Sequence, residues 1–203
     1  RYGIPEDKLV IKPNFLNLTE KKTQSISKKN NAIFASRISK EKGILTLVKA
    51  FTNIDINLDV LGDGPLLNKV KKFIINNIKF HGNLTRDEVN RFIYRSKFLV
   101  FPSEWYESFP MTILEAFRER TLVLASNIGS IKNIIKDRFN GILFEAGNKS
   151  DLIDKVKWIL DNPKECDQIA LNAYNEFKNK YSSEVNYRQL LDIYNEVLLE
   201  KKN

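Results

Sequence analysis

From Asn31 onward, short apolar runs alternate with segments of helical spacing. Ala32–Ser36, Asn57–Gly62, Lys79–Gly82, Phe98–Phe101, Leu122–Ser126 and Gly141–Phe144 predict strands. Runs such as FLVF and LVLA are apolar at every position, which suits burial on both faces of a parallel sheet. Between them, Lys42–Thr52 repeats apolar residues at helical spacing through Ile44, Leu45, Val48 and Phe51. Leu66–Ile75 opens a helix behind Pro65, and Thr85 through Arg95 carries the capping-box pair Thr85 and Glu88. Met111–Arg120 and Ile131–Lys136 complete the alternation. Beyond Gly147 the pattern is purely helical, over Ser150–Leu160, Lys164–Lys180 and Ser183–Lys201. Ahead of it, Val10–Asn14 reads as a short opening strand, with Lys12 pushed to extended geometry by Pro13. Thr19 to Asn30 is polar and reads as a loop. Strand and helix in turn predict βαβ units stacked around one parallel sheet, with a helical C-terminal tail.

The length of 203 residues allows one domain of ordinary size. No apolar run approaches the ~20 residues needed to cross a bilayer. One cysteine, Cys166, has no internal partner, which points to a reducing, cytoplasmic setting. Arg1 stands first and the only methionine is Met111, so a piece of a longer chain is expected, with no signal peptide in it. A net charge of +8 raises nucleic-acid binding, but its distribution argues against it. The first fifty residues hold 11 basic and 4 acidic side chains, whereas residues 151–203 hold 8 and 10. The excess is lysine, 24 against 9 arginines, and base and phosphate readers favour the arginine fork. Such a front-loaded lysine excess suits peripheral contact with acidic lipid head groups at the inner face of a membrane better than nucleic acid.

In a parallel sheet the ligand lies beyond the carboxyl ends of the strands, so the strand-to-helix loops should hold the chemistry. The first loop places Arg37 at a strand end and Lys42 at the following helix, a pair of cations suited to a diphosphate or simply solvated. Gly62-Asp63-Gly64-Pro65 reads as a tight turn; Leu67 stands where a dinucleotide fingerprint needs glycine. His81, the only histidine, has no nucleophile pattern to join, and neither an Asp-x-Asp nor a Cys/His cluster suggests a metal. The loop Phe101 to Pro110 and its helix carry Glu107 and Glu115, seven residues apart in between. Free amides at Met111, Thr112 and Ile113 would form an anion site, with carboxylates ahead of it and one turn inside for sugar hydroxyls. The competing reading puts Thr112, Glu115, Arg118 and Glu119 on the solvent face of an amphipathic helix, with Glu107 complementing its dipole.

Taken together, these loops resemble the C-terminal domain of a GT-B glycosyltransferase of the large retaining family 4. The likeness is carried by Arg37 with Lys42-Gly43, Gly62-Asp63-Gly64-Pro65, Gly82, Pro102-Ser103, Glu107 with Glu115-Ala116, Ala125-Ser126 with Gly129, Asn140-Gly141 and Gly147. Tyr2-Gly3-Ile4-Pro5 and Ile11-Lys12-Pro13-Asn14 resemble the segment where that family's chain enters its second domain. The resemblance implies a Rossmann-like three-layer α/β/α fold with about six parallel strands, one half of a GT-B enzyme. It divides the chain into an opening strand and interdomain connector over 1–30, a nucleotide-sugar-binding core over 31–148, and helices over 149–203 that pack on the core and towards a missing N-terminal domain.

The implied activity is transfer of a sugar from a UDP- or GDP-sugar to an acceptor hydroxyl, in glycan or glycolipid assembly, with retention and without a cofactor or required metal. Arg37 and Lys42 would hold the diphosphate, Glu107 the transferred sugar, and these three are the catalytic candidates. The backbone of Ser108, Phe109, Pro110, Met111 and Thr112 would hold phosphate and sugar, Glu115 the ribose, and Asn83 and Leu84 the base. A glycan or lipid-linked acceptor would lie mainly on the missing domain, leaving the fragment inactive alone. Three departures stand out: Ser36 for the glycine before the arginine, Arg120-Thr121-Leu122 for Gly-x-Pro, and Phe15 for the glycine after Asn14. A sugar-nucleotide epimerase of the same architecture and a non-catalytic adaptor domain are the alternatives; an oxidoreductase lacks its glycine fingerprint.

Overall fold

The apolar runs become strands whose side chains alternate between two cores. In the computed structural model, which describes residues 3–18, 30–73 and 76–200, the strands are β1 (Asn31–Ala35), β2 (Asn57–Leu61), β3 (Ile78–Gly82), β4 (Phe98–Phe101), β5 (Leu122–Ser126) and β6 (Ile142–Phe144). They form one sheet in the order β3-β2-β1-β4-β5-β6, each pair parallel. The helices are α1 (Ile44–Phe51), α2 (Leu67–Val70), α3 (Arg86–Arg95), α4 (Met111–Arg118), α5 (Ile131–Ile134), α6 (Lys149–Asp161), α7 (Pro163–Glu176) and α8 (Ser183–Glu200). On one face Ala32, Phe34, Phe98, Val100, Leu122 and Leu124 pack with α1 and α6; on the other Ile33, Leu99, Phe101 and Val123 pack with α4 and α7. This is the period-two alternation of a strand buried on both sides, and the result is a three-layer α/β/α, Rossmann-like domain.

Local signals place most boundaries. Thr85 and Glu88 form the expected capping box at α3. Asn148 caps α6 through the Asp151 amide, and Pro163 opens α7. Cys166 is a free, buried thiol, and burial pushes its pKa up to about 11, so it is protonated at neutral pH. No helix among the described residues is long and apolar enough to cross a membrane.

Three expectations change. Val10–Asn14 joins no strand; Pro13 lacks an N–H and Ile11 is almost fully exposed, so nothing supports a ladder there. That segment instead docks on α8: Asn186 donates to the Pro13 carbonyl at 3.1 Å, Lys12 to Asn186 at 2.7 Å, and Leu16 bridges Ser182. The helix expected over Leu66–Ile75 spans only Leu67–Val70 before a turn, and residues 74 and 75 lie outside the described ones. The tail helix expected over Lys164–Lys180 ends as α at Glu176 and closes in a π turn, Phe177–Tyr181. Of the loop expected over Thr19 to Asn30 only Asn30 is among the described residues, and the expected end of the last helix at Lys201 lies outside them.

Candidate functional site

The chain reverses direction across the sheet between β1 and β4, and the loops leaving these two strands meet above their carboxyl ends. Gly43 makes the meeting feasible. Its φ is +67°, and a Cβ there would stand 1.8 Å from the Pro102 carbonyl oxygen. Only glycine fits both constraints. Around that approach the Glu104 amide donates to the Glu41 carbonyl at 2.8 Å, with Ser103 Oγ 3.1 Å from the same carbonyl oxygen. Thr46 of α1 adds a bond to the Glu104 carboxylate at 2.5 Å.

This clasp brings Lys42 to Glu107, 65 residues on. The Lys42 ammonium donates to Glu107 Oε1 at 2.6 Å, and Ser103 Oγ donates to the same oxygen at 2.7 Å. Both charged side chains are largely covered, 23% and 16% exposed, so the pair is screened less than a surface bridge. From the opposite side Ser130 donates to the Glu107 carbonyl at 2.5 Å. Glu107 is thus fixed in backbone and side chain by three elements. Ser103 belongs to the family likeness but carries no role there, and the sequence pattern gives Ser130 none. No local pattern marks either, since both act through contacts distant in sequence.

Behind the loop, Pro110 precedes α4, and no side chain caps that helix. Of the three amides expected to be free, Ile113 already donates to the Pro110 carbonyl at 3.1 Å, which leaves Met111 and Thr112 for an anion. One turn in, Glu115 is buried at 8% exposure, with Arg118 at 6% and Glu119 at 8%. The solvent-face reading of this helix therefore fails: α3 and α7 pack against α4 and cover positions that two-layer periodicity would leave open. Burial pushes the Glu115 carboxyl above the usual range, opposed by Arg86, whose Nε donates to its Oε1 at 3.2 Å, and by Arg118.

Arg37 is exposed and lines a cleft of about 420 Å³ with Gly62, Asp63, Asn83 and Leu84. The loops after β1, β2 and β3 build it, tied by the Ile38 amide on the Asp63 carbonyl at 2.8 Å and the Gly62 amide on the Gly82 carbonyl at 2.8 Å. Ser108 and Phe109 face a different cleft, on the β5 side of the Glu107 loop. His81 lies in neither: it pairs with Asp59 at 2.7 Å and tilts against Phe92. The replacement at Arg120 is visible as a φ of +50°, where glycine would be relaxed, and Thr121 donates to the Ile93 carbonyl at 2.9 Å.

The family model described as glycosyl transferases group 1 matches residues 17–176. An uncharacterized glycosyltransferase of Methanocaldococcus jannaschii is 31% identical over 172 residues, 83% of this chain and 48% of that protein. The lipopolysaccharide 1,2-N-acetylglucosaminetransferase of Salmonella typhimurium is 30% identical over 170 residues, 75% of this chain and 44% of its own length. The chain thus spans about half the length of these relatives. Among solved structures, a glycosyltransferase from Rickettsia africae superposes with a TM-score of 0.80 at 25% identity, covering 96% of this chain and 59% of that one. Anabaena HepE, solved with UDP, shares the fold at a TM-score of 0.76 and 20% identity, over 82% of this chain and 49% of its own.

Proposed function

The chain belongs to the group 1 glycosyl transferases, and on that premise we propose that it is the donor-binding half of a retaining, family 4 enzyme. Its substrate is a nucleoside-diphosphate sugar, and the reaction moves the sugar to an acceptor hydroxyl with retention at the anomeric carbon. One observation carries the reading: Lys42 and Glu107 joined at 2.6 Å where the sheet switches direction, in front of an uncapped helix. The ammonium has three donors, and Glu107 uses one of them. The others can meet a β-phosphate, with Arg37 and the amides of Met111 and Thr112 sharing its charge as the diphosphate leaves. Glu107, held by Ser103, accepts hydroxyls of the transferred sugar. Arg86 occupies one oxygen of Glu115, whose carboxylate takes the ribose hydroxyls. Asn83 and Leu84 line the base.

The relatives support transfer over epimerisation or an adaptor role, being glycosyltransferases themselves. UDP is the first nucleotide to test, since HepE is solved with it. The rest of the enzyme supplies the other wall of the cleft and most of the acceptor contacts, and the isolated chain binds donor without turnover. Calorimetry of this chain with UDP, GDP and NAD tests the reading. A nucleoside diphosphate should bind and NAD should not; equal affinity for all three, or none for any, refutes it.

A further inference from the structure

The cleft faced by Ser108 and Phe109, about 660 Å³, lies in the roughly 300–1,000 Å³ range of small-molecule sites, and of its lining the family resemblance gives only the Ser108–Phe109 backbone to the donor. Asn14, Ser108, Phe109, Asn133, Tyr181 and Gln189 line it. Its two ammonium groups have partners of their own, Lys12 bonding Asn186 at 2.7 Å and Lys180 bonding the Glu176 carboxylate at 2.6 Å, which offsets the Lys180 charge. What remains is neutral: amides and a hydroxyl beside two rings, Phe109 and Tyr181, set edge to face at 6.0 Å. Gln189 Oε1 is shielded from solvent and has no hydrogen-bond partner among the described residues. A shielded amide oxygen without a donor is unfavourable unless a ligand supplies one. Neutral hydrogen-bonding groups against aromatic faces suit a pyranose, which presents hydroxyls at its rim and C–H bonds on its face.

Position decides which pyranose. In strand order, the Arg37 cleft belongs to β1, β2 and β3, this cleft to β5 and α8, and the Glu107 loop of β4 stands between them. A transferase must bring nucleotide and acceptor to one anomeric carbon from different sides. We infer that this cleft is a subsite for a sugar ring of the acceptor, held by Gln189 and Asn133 and stacked on Phe109. The acceptor part of this assignment rests on the reading of Glu107 proposed above.

Nitrogen-15 NMR of the chain saturated with UDP, titrated with methyl glucoside and with methyl N-acetylglucosaminide, tests it. A glycoside should shift the side-chain amides of Asn133 and Gln189. Gln189→Leu and Asn133→Ala should each weaken that response roughly threefold to tenfold, one neutral hydrogen bond each, with UDP affinity unchanged. Asn133 is exposed, so its variant reports even if Gln189→Leu does not fold. UDP binding with no glycoside response, or a response that survives both substitutions, overturns the subsite. If UDP-glucose shifts these amides and displaces the glycoside, the cleft belongs to the donor and the acceptor assignment fails. Failure of UDP itself to bind sinks the parent reading, and a glycoside response in that case leaves a sugar site without an acceptor role.

Discussion

Glu107 and Glu115 are carried by the same loop and helix, yet their surroundings are opposite. Glu107 sits in a clasp of polar partners, with Lys42 and Ser103 on one oxygen and Ser130 on its carbonyl. Glu115 sits between packed helices, its charge opposed by burial and only partly offset by Arg86 and Arg118. The first is organised as a charged group; the second keeps a carboxylate where desolvation disfavours one. A neutral side chain of the same shape would avoid that desolvation cost. The contrast supports a binding role for Glu115 and a positioning demand on Glu107.

The largest expected effect is on catalysis. In the complete enzyme Glu107→Gln should lower kcat by on the order of 10²-fold, the scale of a misplacement of about 1 Å at the reacting carbon. Steady-state kinetics check this, and a change confined to KM would count against it. Next comes the clasp. Gly43→Ala forces a left-handed φ on a side chain, at about 1–2 kcal/mol, and drives its Cβ into the Pro102 carbonyl. Thermal unfolding should show a loss larger than the conformational term alone, and nucleotide affinity should fall with it because Lys42 and Glu107 separate.

On the diphosphate side, Arg37→Ala and Lys42→Ala should each weaken UDP binding by roughly 1.5–3 kcal/mol per charged hydrogen bond lost. Lys42→Ala should be the worse of the two, since it also removes a partner from Glu107. Calorimetry with unchanged affinity in both would return them to ordinary surface charges.

The Glu115 side makes a pH prediction. Because its folded pKa is raised, its contribution to stability is present below the ordinary value of 4.5 and is lost as pH rises through the folded value. Glu115→Gln should therefore gain on the parent protein as pH rises from 4 to 7, read as a growing difference in Tm. Glu41 and Glu88, held low by Ser39 and Thr85, titrate alike in both proteins and cancel. A difference flat with pH would contradict the burial argument. Smallest of all should be the effect of chelation: if Arg37 and Lys42 neutralise the diphosphate as proposed, EDTA should leave the complete enzyme's activity intact.

Legibility divided along the same line. Strands β4 and β5 begin and end where their apolar runs do, and the capping box at α3 sits where Thr85 and Glu88 place it. These are local signals. The Lys42–Glu107 bond joins residues 65 apart, and Arg86 reaches Glu115 from another helix, so no pattern within a window shows either. The amphipathic reading of α4 failed because it allowed one neighbour to the helix, where the fold supplies a sheet and two helices. Val10–Asn14 looked like a strand because extended residues do; nothing local says that its partner is α8 rather than a sheet.

The contrast between the two carboxylates is tested most directly by titrating UDP into this chain carrying Glu115→Gln and, separately, Glu107→Gln. Removing the ribose acceptor should weaken UDP by roughly 1.5–3 kcal/mol, whereas removing the sugar acceptor should leave it nearly unchanged, because UDP carries no transferred sugar. The opposite order would exchange the two roles, and unchanged affinity in both would remove Glu115 from the ribose.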